Sequence, residues 1–432
     1  MKPNDILHHY RQLASAQTAV AHDWHHPRQL HAAMQMQELP LPERRHENWR
    51  YTPLTPLLDT AFQPAVLEKD LLFADDLEQL RLTPADNPRI VLHNGFYLPA
   101  LSNVPENSAI KIESLPAALA NGDHTVQAHL GELSGEHAHL FTALNTAMLN
   151  AGVVVRIAAN TQLTQPLEII HVSLSFASTY LAQPRLFIWL DAGAHVSIVE
   201  HYTHLADVLC LHNSVTEIFL QEGARVQHSR LQNESRRTRH LANLYVQQAA
   251  HSHYHNTTLA FGGAWSRTES HIRFSGAGAT CQLNGFYLAG DKQSHDMHLH
   301  IVHHPPQCTS RSHFKGILQG HSKAVFDGNI EIKPNAQQSD ARLSNANLLL
   351  SHDADIATKP RLEIYADDVQ CSHGTTVGQL DAEMLFYLRA RGIPHAQAVQ
   401  MICAGFAEEI IATAQCPALQ EYAHALLKQQ LT

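Results

Sequence analysis

From Val153 to about Val369 the chain is a succession of short β-rich runs separated by glycine-centred turns, with almost no helical pattern between them. Ile170, Val172, Leu174 and Phe176 alternate with His171, Ser173 and Ser175, a period of two that puts one set on each face of a strand. Val196 and Ile198 flank Ser197, and Leu299 and Ile301 alternate with His298 and His300. Two turns are near copies thirty residues apart, Ala192-Gly193-Ala194-His195-Val196 and Glu222-Gly223-Ala224-Arg225-Val226. Further glycine turns fall at Gly276 and Gly278, Gly290, Gly320 and Gly328. About two hundred residues of this texture leave three architectures: a sandwich, a propeller or a β-helix. The similar turns and uneven rung lengths favour a β-helix, because a propeller carries a stronger blade signature.

The flanks read differently. Residues 1 to about 85 are helical in pattern, with Ile6, Tyr10, Leu13 and Ala14 at helical spacing. Pro40, Pro42, Pro53 and Pro56 bracket the run Asn48-Trp49-Arg50-Tyr51-Thr52, in which Trp49 and Arg50 are a candidate stacking pair of structural character. Arg89 to Leu101 is strand-like around an Asn94-Gly95 turn. Helical character returns from about Val126 to Leu149 and again after Gln379. Asp381 suits an N-cap ahead of Met384, Leu385 and Leu388, and Gly392 with Pro394 ends that helix. Val399, Ile402, Cys403, Phe406 and Ile410 then form one apolar stripe, expected to be core, with a docking face as the alternative. Cys416-Pro417 opens a final helix to Gln430. The expected organisation is a mostly helical region over 1–150 with a short β segment, a β-helix over 151–378, and a helical domain over 379–432.

Several functions are excluded by what is missing. Thirty Lys and Arg against 40 Asp and Glu give a net charge of −10, which argues against nucleic-acid binding through bulk positive charge. No Gly-Lys dipeptide occurs, so there is no Walker A loop. Gly276-x-Gly278 is followed by Cys281 where a dinucleotide fingerprint needs glycine. There is no zincin helix at His46-Glu47 and no Gly-x-Ser-x-Gly elbow. Six cysteines without a Cys-x-x-Cys pair give neither a zinc ribbon nor a thioredoxin-like pair. Met1 to Gln17 lacks a signal-peptide core, and no apolar run approaches the ~18 residues of a membrane span. The expectation is a cytoplasmic protein that is not itself an enzyme and does not bind membranes.

Histidine is the compositional outlier, at 34 residues. Near pH 6 many of these side chains are expected to protonate and offset the negative charge. His251, His253 and His255 are spaced to share one strand face, as are His298 and His300, with His303 and His304 beyond. Such rows suit zinc, nickel or iron, but a solvated strand face is the reading preferred here. The densest constellation is Asp367-Asp368-Val369-Gln370-Cys371-Ser372-His373-Gly374. Cys371 and His373 are two apart, so an extended chain places a thiol and an imidazole side by side, a pair suited to a soft or borderline metal or a sulfur species. Spacing alone favours plainer roles for both, and makes Asp367 and Asp368 turn formers.

A longer set of motifs runs from His304 to Ile393. It includes His304-Pro305 with Cys308 and Ser310, Lys315-Gly316-Ile317-Leu318, Phe326-Asp327-Gly328, Ala336-Gln337 and Asn347-Leu348-Leu349-Leu350-Ser351. Lys359-Pro360, Leu362-Glu363-Ile364, the Asp367–Gly374 run, Val377-Gly378-Gln379-Leu380-Asp381, Leu385-Phe386-Tyr387-Leu388 and Arg391-Gly392-Ile393 complete it. With Asn48 to Thr52, these residues resemble the SufB/SufD family of SUF-system iron–sulfur cluster assembly proteins, and within it the SufD branch more than SufB. The first cysteine is Cys210, so SufB-type N-terminal cysteines are missing. Residues 100–300 match only weakly, and Thr375 stands where the family more usually has alanine.

The resemblance implies a right-handed parallel β-helix flanked by helical regions. It implies a scaffold subunit that pairs with SufB through the β-helix and docks the SufC ATPase through the C-terminal domain, around Phe386, Tyr387, Leu388, Arg391 and Ile393. It also implies that His373 lies at the SufB interface and helps form a nascent cluster shared with SufB. Cys371 is adjacent, with a less defined role, and a reduced flavin belongs only to the whole complex. A homodimer of the isolated chain stays open. The alternative is a stand-alone metal-binding or iron-donating protein. It predicts stoichiometric metal on the isolated chain, lost when His253 and His255 are replaced.

Overall fold

The computed structural model describes residues 3–18, 24–68, 70–105, 109–177 and 179–431. Positions 1–2, 19–23 and 69 of the expected N-terminal helical region therefore lie outside the described residues. Two helices, Pro3–Thr18 and His26–Glu38, form in that region, followed by irregular chain with short helical turns. From Arg185 onward the strands fall alternately into two sheets, and every neighbouring pair in this stretch is parallel. Each turn of the chain thus lays one strand on each sheet, giving a parallel β-helix. From Gly152 onward the step between stacked strands ranges from 26 residues (Arg239 opposite Trp265) to 33 (Gly152 opposite Arg185).

The two near-copy turns are stacked corners of this helix: His195 faces Arg225 and Val196 faces Val226. The same corner recurs in seven successive turns as one left-handed residue, at Asn160, Gly193, Gly223, His251, Gly278, Gln307 and Gln338. Each donates its backbone N–H to a carbonyl in the next rung, as Gly193 does to Glu222 and Gly223 to Ala250, both at 2.9 Å. The corner's polar groups are thereby satisfied. Small buried residues follow it, among them Ala194, Ala224, Ala279 and Cys308. Cys308 is one member of that stack, and a packing role explains it.

Gly152 opens the strand Gly152–Ile157 at φ +125°, and a Cβ there would overlap the backbone of Arg185. Gly152→Ala is expected to cost about 2–4 kcal/mol, because both the backbone conformation and the space are wrong for a side chain. The urea midpoint reads this, and an unchanged midpoint would refute the steric argument.

Inward positions are apolar for much of the length, from Ile90 and Leu167 to Leu343. Near one corner the lumen turns polar. Glu200 and Tyr202 share the inward face of their strand with Val196 and Ile198, and lie among His171, His228 and Arg230. Burial lowers the pKa of His171 to about 4, and it lowers those of His228 and His240 as well. His171 therefore stays neutral near pH 6, contrary to the expectation from composition.

The outer faces carry the helices. Pro3–Thr18, His26–Glu38 and Leu140–Met148 pack through Tyr10, Met36 and Phe141 onto Leu181, Leu211, Leu241 and Trp265. The Asn48–Thr52 run is pinned beside them. Arg267 stacks on Trp49 at 3.8 Å, donates to the Asn48 carbonyl at 2.9 Å, and reaches the Thr52 hydroxyl at 3.1 Å. Trp49 therefore stacks on Arg267, whereas Arg50 lies over Tyr51; the candidate Trp49–Arg50 stack does not form. The two last helices, His395–Ile411 and Pro417–Gln430, cover the other sheet. Cys403 and Ile410 are buried against Leu259, Phe286 and Ile317, and Val399 and Phe406 pack beside them. Four of the five stripe residues are thus core, as expected, while Ile402 is half-buried outside that cluster.

Candidate functional site

The two ends of the β-helix differ. At the start, each sheet ends in a short antiparallel strand, Phe96–Tyr97 on one and Ile110–Ser114 on the other. Short edge strands are a common way to blunt a sheet edge. At the far end the last rung consists of Asp355–Ile364 and Val369–Gly378, ten residues each and hydrogen-bonded on one side only. Two long edges and the apolar lumen behind them are therefore open.

Cys371 and His373 lie in this opening. Cys371 faces Ala341 and His373 faces Leu343 in the rung below, and both of those residues belong to the inner core. The period of two thus carries Cys371 and His373 onto the inward face, side by side as their spacing predicts. Cys371 is half-buried against that core, whereas His373 is exposed because no further rung covers it. Asp367 and Asp368 belong to the turn between the two strands, where the Asp368 carbonyl accepts from the Gln338 N–H at 2.6 Å.

Of the six cysteines, Cys371 alone is not buried. Burial pushes its thiol pKa up, reinforced by Asp340 and opposed by the Ala341 backbone, so this chain by itself does not activate the thiolate. Among the described residues, no third His, Cys, Asp or Glu gathers with Cys371 and His373 into a metal-binding group. They offer two ligands out of the four a tetrahedral iron or zinc site needs.

Past the open rung comes the helix Ala382–Ala390, capped by Asp381, whose Oδ1 accepts from the N–H of Glu383 at 2.8 Å and of Met384 at 3.3 Å. None of its residues is buried. Phe386 is 74% and Tyr387 53% exposed, so apolar surface stands free. Arg391 stacks on Tyr387 at 4.2 Å. Leu388 and Ile393 are partly covered.

The histidine rows separate. His251 occupies a left-handed corner outside the strand His253–Ala260, so the three-histidine row is reduced to His253 and His255. His303 is buried in the lumen, 2.8 Å from the Ser310 hydroxyl. His298 pairs with Asp296 at 2.8 Å. His300 instead meets His271 and His137, a grouping that no sequence spacing indicates. The buried pair His212 and His240 around Glu234 was also missed.

Residues 4–169 match the family model of the SufBD protein N-terminal region. Residues 174–406 match the SufBD core domain of SUF-system FeS cluster assembly. The iron–sulfur cluster assembly protein SufD of Escherichia coli is 30% identical over 420 residues, covering 94% of this chain and 96% of that protein. An iron–sulfur cluster assembly SufBD family protein of Synechocystis is 33% identical over 390 residues, covering 88% and 85%. One of Mycobacterium tuberculosis is 25% identical over 418 residues, covering 94% of each.

Proposed function

The chain belongs to the SufBD family of SUF-system iron–sulfur cluster assembly proteins, and from that membership we propose that it is a SufD-type scaffold that pairs with SufB and docks SufC. The observation that carries this reading is the open last rung with Cys371 and His373 in its mouth. Ten-residue edges left bare invite another chain to add strands. A partner β-helix seated there would bury the exposed Ile364 and Val377. It would also close over Cys371 and His373 and add the ligands they lack.

In this reading the cluster is cargo. His373 supplies an imidazole nitrogen and Cys371 lies beside it, while a partner thiolate completes the nascent cluster. Enclosure lowers the local dielectric and keeps water from the assembling sulfide. The chain has no phosphate-binding loop, so ATP hydrolysis comes from SufC. The bare helix Ala382–Ala390 and the residues after it, with Phe386, Tyr387, Leu388, Arg391 and Ile393, form the docking surface for that subunit. The role is non-enzymatic and cytoplasmic.

The test is co-expression with the host SufB and SufC, anaerobic purification, and measurement of iron and sulfide. His373→Ala is expected to leave the complex assembled, because the side chain is exposed, and to lower iron and sulfide by roughly ten-fold or more, as loss of a ligand does. Wild-type iron and sulfide in an intact mutant complex would reduce His373 to an interface residue.

A further inference from the structure

We propose that His137, His271 and His300 form a binding site for one borderline divalent transition-metal ion of the zinc type, on the outer face of the sheet, with His300 two strands in from the open rung. The ligands come from three elements. His271 and His300 face each other on the adjacent strands Trp265–Phe274 and Ser294–His303. His137 reaches over them from the end of the short helix Glu132–Glu136. One ring nitrogen of each lies within 4.8 Å of the others. The His137 ring stacks on His271 at 4.6 Å between centroids and meets His300 edge-on at 5.2 Å.

Stacking of neutral rings would account for the contacts, but not for His271. Its Nε2 faces Glu269 at 3.4 Å, which places the proton on Nε2. Its Nδ1 is buried without a hydrogen-bond partner, so one lone pair of this ring is left unsatisfied inside the protein. Glu269 is in turn held by Arg267 at 2.7 Å. A carboxylate that orients a histidine through its second nitrogen is a common support for a metal ligand. Burial also keeps His137 and His300 neutral at pH 7, with pKa values of about 4 and about 3, and neutral imidazole is the form that binds metal. Arg273, Lys333 and Arg361 face the cluster, balanced by Glu136, Glu269 and Glu331.

A cavity of about 200 Å³, lined by these three histidines with His304 and Glu331, adjoins the site. It leaves room for a water molecule as fourth ligand. Tetrahedral zinc holds its nitrogens about 3.4 Å apart, so nitrogens up to 4.8 Å apart close by as much as about 1.4 Å on binding, and the stacked His137 ring turns so that its lone pair converges with that of His271. Three nitrogen donors select a borderline ion over magnesium or calcium.

The experiment titrates the isolated full-length chain, freed of metal, with Co²⁺ alone and then Zn²⁺. One equivalent of Co²⁺ is expected to give a visible absorption band that one equivalent of Zn²⁺ removes. His271→Ala and His300→Gln are expected to weaken binding by about 100-fold or more, and His137→Ala, at a partly exposed position, serves if either fails to fold. His253→Ala, His255→Ala and His373→Ala are expected to keep the band, which separates this site from the histidine rows and from the cluster site. A wild-type chain without a stoichiometric band overturns the proposal, as does a band that survives in His271→Ala and His300→Gln.

Discussion

Between pH 6.5 and pH 4 the chain is expected to lose most of its stability. His171, His201, His295 and His303 are 0–2% exposed. Burial, the largest cause in each case, lowers their pKa values to about 4, about 4, about 3 and about 4. In the unfolded chain each titrates near 6.5. Above that pH both states are neutral and the full stability is present. As the pH falls, the unfolded state takes up protons that the folded state refuses, until the folded values are reached. Each histidine then contributes a loss of about 1.4 kcal/mol per pH unit, and four together about 5 kcal/mol per unit. A whole domain has only about 5–15 kcal/mol to lose. Urea unfolding at pH 7.5, 6 and 5 measures this. The expected result is a steep fall by pH 5, with the slope reduced by about one proton in His295→Asn. A change below about 2 kcal/mol across that range would mean that these side chains are solvated or rearranged on protonation.

The second large effect is expected at Arg230. Glu200 is fully buried in the lumen and accepts from Arg230 Nε at 2.7 Å, the Tyr202 hydroxyl at 2.7 Å, His228 at 3.0 Å and His171 at 3.1 Å. Burial opposes its charge. Arg230 first, then the two imidazoles, overcome that and hold the carboxyl well below the usual range. Arg230→Met leaves a buried anion with only neutral donors around it, at an expected cost of about 3–5 kcal/mol. Adding Glu200→Gln removes the stranded charge and is expected to recover about 1–4 kcal/mol. Urea midpoints of the two single variants and the double variant form the cycle. A single-variant cost under about 1 kcal/mol would show that the imidazoles take up a proton and replace the guanidinium.

Local signals carried far in this chain. The period-two runs, the repeated Gly193 and Gly223 corners and the Asp381 cap all describe interactions among residues close in sequence, and each is found where its pattern places it. Cys371 and His373 were legible for the same reason, because two residues two apart on a strand must share a face. The failures are of one kind. Arg267 reaches back more than two hundred residues to Trp49, so sequence neighbours suggested Arg50 instead. His251 fits a strand pattern but falls at a corner, because the length of the rung decides where the chain turns.

Sequence by itself favoured a β-helix over a sandwich or propeller, and it determined the helical flanks, the absence of a phosphate loop and the pairing of Cys371 with His373, since all of these rest on short-range periodicity or on residue type. Only the tertiary structure decided that the last rung stays open. Only it showed that many histidines are buried and neutral, and that His137, His271 and His300 converge. Burial and convergence depend on register between rungs 26 to 33 residues apart. At that distance the step varies from turn to turn, and no local pattern encodes which side chains come to face each other.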